Sequence, residues 1–114
     1  MWTQKKLERL GRLWQKRLRI QDWDIKYELV STQWVMDAQW ATAQVDAKED
    51  KRYAHIKIVE PSVVQNPFVP YDFEMALVHE LLHVVLWKLH TTGNTAEEVA
   101  IHQLSQALVE GYNE

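Results

Sequence analysis

The sequence predicts an α+β domain with the element order α-β-β-β-α-α. Three observations carry that expectation. The first nineteen residues repeat apolar positions at helical spacing. Three runs between residues 23 and 60 are read as strands, on their polar/apolar alternation or on the polar turn between them. The last third holds two helix starts, each with a capping signal, and the first opens an oily stretch, "MALVHELLHVVLWKLH", that nonetheless contains His79, Glu80 and His83. At 114 residues the chain is the size of one domain, 1–114, with a single core.

The first helix is expected over Thr3 to Arg19, with Leu7, Leu10, Trp14 and Leu18 as its core-facing stripe. "WDIKYELV", Trp23 to Val30, alternates and reads as a strand. A second strand is expected around Gln39 to Ala47 and a third over Arg52 to Glu60, with the polar turn Lys48 to Lys51 joining them into an antiparallel hairpin. The sheet is thus three-stranded and mostly antiparallel. Pro61, Pro67 and Pro70 make the next segment a loop. Asp72 caps the oily helix, expected from Phe73 to Leu89, and Gly93 suits a left-handed residue after its end. "TAEE", Thr95 to Glu98, is a capping box that opens the last helix, which runs to about Glu110.

Composition excludes several classes. Charged residues are 25% and hydrophobic ones 46%, as in soluble globular proteins. The absence of cysteine removes both a disulfide framework and a thiolate zinc site, and fits a reducing compartment. No run approaches the roughly 18 apolar residues of a membrane span, and the N-terminus has no signal-peptide core, so the expected location is the cytoplasm. Residues 1–20 carry seven Lys/Arg against Glu8, a balance of +6, while the rest carries six against fifteen acids, or −9. A basic arm for nucleic acid would produce that asymmetry. The apolar stripe on the same helix favours a basic helix lying on an acidic body.

The oily helix holds the chemistry. His79 and His83 are four apart, so their rings lie on one face, one turn above each other, with Glu80 beside them. This His-Glu-x-x-His spacing lets two imidazoles reach one tetrahedral ion while the carboxylate handles a proton of water. A shuffled chain with five His and ten Glu would carry it about 2% of the time. Core-edge histidines with ordinary hydrogen bonds are the bland alternative, but burying three such groups without a partner ion is costly.

Zinc requires a third protein ligand. A His six residues after His83 is excluded, because position 89 is Leu. His90 lies on the same face but about 10 Å further along the axis, as a helix-end residue. A carboxylate on the last helix is the next choice. Winding that helix at about 100° per residue from Glu97 puts Ile101, Leu104 and Leu108 within about 40° of it, so Glu97 is centred on the apolar stripe. Glu98 is about 100° away and belongs to the capping box, and His102 lies about 140° off the stripe. Glu97 is the preferred ligand, with Glu98 and His102 as alternatives.

"HELLH" followed on the next helix by "EEVAIHQLSQAL" resembles the gluzincin branch of the zincin metallopeptidases, and the element order is similar to that of small zincin-like proteins of bacterial and phage genomes. The resemblance implies a zincin-like fold with a glutamate-bearing helix after the motif helix. It implies Zn²⁺ as cofactor, held by His79, His83 and Glu97, and peptide hydrolysis with Glu80 as general base. The substrate would be a peptide or protein laid along an edge strand, for which "YAHIKIVE" is the candidate. Two departures are visible. The gap from His83 to the glutamate is short, and Ile101 stands where related enzymes carry an Asp that supports a zinc-binding histidine, so another acceptor must orient the rings. For the oxyanion, His102, Tyr71, His55 and Tyr112 are the candidates. Two other functions compete: a silent zincin-like module that holds a peptide, and a nucleic-acid or partner-binding protein using Lys5, Lys6, Arg9, Arg12, Lys16, Arg17 and Arg19. The general base at position 80 favours the peptidase, and no nucleic-acid motif accompanies the basic helix.

Overall fold

A computed structural model describes residues 2–31, 43–63, 72–87 and 95–113. Helix α1 spans Gln4–Arg17, strand β1 Asp24–Val30, strand β2 Ala43–Lys48, strand β3 Tyr53–Val59, helix α2 Phe73–Val85 and helix α3 Thr95–Tyr112. The expected element order and the α+β class are those observed. Two single 3-10 turns, Glu49–Lys51 and Pro61–Val63, flank β3. Gly93 and Tyr71 lie outside the described residues, as does the 39–42 portion of the second expected strand.

Thr3 starts α1 by accepting from the Lys6 N–H at 3.2 Å. Leu7 and Trp14 are fully buried, and Leu10 and Leu18 pack at the margin of the core. Gly11 completes the buried stripe because nothing larger fits. A Cβ there would stand 2.3 Å from the Tyr27 ring. Arg19 takes a left-handed φ of 62°, and the Ile20 N–H returns to the Gln15 carbonyl at 2.9 Å, closing the helix end. Gln15 is buried at the centre of this turn. Its Nε2 donates to the Ile20 and Trp23 carbonyls, and its Oε1 accepts from the Tyr27 hydroxyl at 2.8 Å.

The sheet order is β1-β3-β2. β2 and β3 form the expected antiparallel hairpin, whereas β1 runs parallel to β3, pairing Asp24 with Tyr53 through Val30 with Val59. The sheet is therefore mixed. β3 is its central strand, with Ala54, Ile56 and Ile58 all fully buried on the helix-covered face. This placement corrects the expectation that "YAHIKIVE", 53–60, offers an edge to a substrate, since both sides of β3 are already paired. The outer side of β1 is partly occupied by side chains. The Gln4 amide donates to the Tyr27 carbonyl and accepts from the Leu29 N–H, and Arg12 donates to the Ile25 carbonyl.

α1 packs on β1, α2 on β2 and β3, and α3 on α2. α2 is thus sandwiched between sheet and helix, which is why its sequence is oily nearly all round. Asp72 caps it, accepting from the Met75 N–H at 3.0 Å. The helix ends at Val85, four residues before the expected Leu89. Glu74 ties three helices at one end of the molecule. It accepts from the Trp14 indole of α1 and from Asn113 beyond α3, each at 2.7 Å. Arg17 lies over both the Trp14 and Tyr112 rings at the same end. No helix among the described residues is long and apolar enough to cross a membrane.

Candidate metal centre

α2 and α3 pack side by side, and the polar residues of α2 meet the first turn of α3. The expected stripe on α3 is rotated. Leu104 is 46% exposed, and Ile101, Ser105 and Val109 are the buried positions. Ser105 can occupy the interface because its hydroxyl donates to the His102 carbonyl within the helix, at 2.9 Å. Counting about 100° per residue from Glu97, the centre of this buried stripe falls near 80°, close to the direction of Glu98. Rotation of the helix thus turns Glu98 toward α2.

The His79 and His83 rings stand 5.1 Å apart, centroid to centroid, on the face of α2 turned to that first turn. The Glu98 carboxylate bridges them, with Oε2 3.1 Å from His79 Nε2 and Oε1 2.9 Å from His83 Nε2. Glu97 meets the same ring from its other side, with Oε1 3.4 Å from His83 Nδ1. The two acids differ in surroundings: the Glu97 side chain is 10% exposed and that of Glu98 57%.

One ligand atom each from His79, His83 and Glu98 lies within 4.8 Å of the others. Ligand atoms of a tetrahedral zinc site, about 2.0–2.1 Å from the ion, stand roughly 3.3 Å apart. The two carboxylate–imidazole distances are close to that edge, and the donor set is one that zinc accepts. The cluster is therefore capable of binding a metal ion. Burial lowers the His79 pKa below its ordinary value, against a smaller opposing pull from Glu98, and His83 and His102 lower it further. That favours the neutral imidazole a metal needs. Glu80 is 8% exposed, and burial, reinforced by the Glu98 charge, pushes its pKa up to about 8.

The other candidates separate clearly. His55 alternates with the core residues of β3, so it faces the opposite side of the sheet, where Nε2 lies 2.8 Å from Glu28 Oε1. Tyr112 sits at the far end of α3 against Trp14. His102 is exposed, one turn beyond Glu98 on the same face of α3. His90 and Tyr71 lie outside the described residues, and so does the Thr95 side chain on which the capping box rests. A cleft of about 1100 Å³ opens between the end of α2 and the β2–β3 turn, lined by Trp23, Lys48, Arg52, Val84 and Trp87 among others. None of His79, His83 and Glu98 lines it. No sequence signal pointed to this cleft, because it exists only through the apposition of three distant segments.

These features define a compact α+β domain with a His/His/Glu cluster able to hold a metal, consistent with a zincin-like fold. Comparison of the chain with protein-family models, curated proteins and solved structures returns no match.

Proposed function

We propose that the chain is a zinc-dependent metallopeptidase of gluzincin type. The observation that carries this reading is the convergence of two imidazole Nε2 atoms and a carboxylate beside the buried Glu80. A site that merely stapled α2 to α3 would have no use for a general base in that position.

His79, His83 and Glu98 hold the ion in this proposal, Glu98 taking the ligand position that the apolar stripe alone gives to Glu97. A zinc ion held by these residues would supply Lewis acidity toward a carbonyl oxygen and toward water. Glu80 is the proton carrier of this proposal: as carboxylate it takes a proton from water, and as carboxyl it gives that proton to the departing amine. His102, one turn past Glu98 on the same face of α3, is the oxyanion donor in this proposal. β2 is the strand for an extended peptide. It lies over α2, and no strand pairs with its outer side among the described residues, whereas Gln4 and Arg12 occupy the outer side of β1.

Protein purified without chelator should contain about one zinc per chain, and cleavage of a mixed peptide library should require it. Glu80→Gln should retain the zinc and lose cleavage. Cleavage that survives this substitution refutes the assignment of the base. Zinc without cleavage in the unmodified chain leaves a module that holds a peptide without cutting it.

A further inference from the structure

We infer that Glu97 is a positioning residue that fixes His83 through Nδ1, so that the adjacent acids of α3 divide two tasks, Glu98 as ligand and Glu97 as orienter. The inference rests on the zinc reading above and adds to it a role for a residue that spacing alone makes a ligand.

An imidazole that ligates through Nε2 must carry its proton on Nδ1, and that N–H needs an acceptor. His83 is deeply set, with a side chain 10% exposed, so water is a poor candidate and an unmet N–H would be costly. Glu97 Oε1 lies 3.4 Å from that nitrogen and is equally buried. Neighbouring residues on a helix project about 100° apart, so Glu97 and Glu98 approach the ring from different sides. Glu98 takes the two Nε2 atoms, and Nδ1 of His83 remains for Glu97. His79 differs. It is more exposed, and its described polar partner is Glu98 through Nε2 alone. With Glu98 as ligand, the position four residues on is His102, which is no carboxylate, and the division gives the orienting carboxylate to Glu97 instead.

The test is made on the full chain with Zn²⁺ and Co²⁺ as probes. Zinc affinity is read by competition with a chromogenic chelator, and the donor set from the visible absorption of the Co²⁺ form. Glu97→Ala should keep one metal per chain and the Co²⁺ band positions of the parent while weakening zinc about 10–100-fold. Glu97→Gln, whose amide oxygen still accepts from Nδ1–H, should recover most of that loss. Glu98→Ala should change the Co²⁺ bands and weaken zinc more than Glu97→Ala does. The inference is overturned if Glu97→Ala alters the Co²⁺ bands as ligand loss does while Glu98→Ala preserves them, or if Glu97→Ala leaves affinity unchanged. Should Glu97→Ala not fold, ¹H–¹⁵N correlation of the unmodified Zn²⁺ form decides. A slowly exchanging proton on His83 Nδ1 supports the role, and a rapidly exchanging one overturns it. A parent chain that takes up neither metal defeats the zinc site itself, an outcome distinct from the others.

Discussion

α1 and α2 lie against the same face of one sheet, and each buries polar side chains, yet the two interiors are different in kind. Under α1, Gln15 joins the Ile20 and Trp23 carbonyls, Arg12 and the Tyr27 phenol in a closed set of hydrogen bonds, and burial pushes the phenol's pKa up. Every member can stay as it is at neutral pH, and the network needs nothing from outside. Under α2, buried His83 and Glu80 stand with the half-buried His79, facing the carboxylates of Glu97 and Glu98. Here the imidazoles and carboxylates meet one another at ligand spacing, a donor set that a divalent cation can share. Buried polarity that closes on itself serves the fold; imidazoles and carboxylates gathered at one point can also hold an ion.

Substitutions should therefore separate cleanly. His83→Ala should produce the largest effect, loss of stoichiometric zinc retention on dialysis, since a two-ligand site binds far more weakly. If that variant keeps its metal, α2 does not supply the centre. Next comes the pH response of the metal-free chain. Folded Glu80 keeps its proton to about 8 against an ordinary 4.5, so between those values the folded state binds more protons than the unfolded one. That contribution to stability is full below 4.5 and is lost as pH rises toward 8, with a slope of at most about 1.4 kcal/mol per pH unit. His79, lowered from 6.5, acts in the opposite sense below that value, so the interval from 6.5 to about 8 isolates Glu80. Denaturant titrations of chelated protein across it should show falling stability, and Glu80→Gln should flatten the curve. Parallel curves for the two proteins would contradict the buried, protonated state.

On the α1 side, Gln15→Leu should cost about 2–3 kcal/mol by stranding buried partners, with zinc affinity unaltered. A change in affinity would show that the two interiors communicate. The smallest effects should come from the caps: Thr3→Ala and Asp72→Ala are each expected to lower stability by about 1 kcal/mol in thermal melts.

Much of this architecture is readable before any coordinates. Stripe, alternation and capping place α1, the strands and the start of α2, and the paired imidazoles are explicit in "HELLH". Pairing direction is not, because alternation is the same for parallel and antiparallel strands, and so the central position of β3 and its parallel partner emerge only in three dimensions. The choice between Glu97 and Glu98 turns on where α3 faces α2. The expected stripe places Leu104 inside. The interface buries Ser105 instead, since a hydroxyl bonded within its own helix can be buried while leucine at that angle meets solvent. A rotation that no hydropathy pattern records decides which acid meets both rings.

The Glu74 tie gives the centre one more property. It anchors the far end of α3 through groups that take no part in the imidazole cluster, so the acid-bearing end is delivered to α2 like the free jaw of a clasp already hinged. An ion bound there would lock an existing shape instead of creating one. Chelation should accordingly loosen the first turn of α3 and leave the hinge standing.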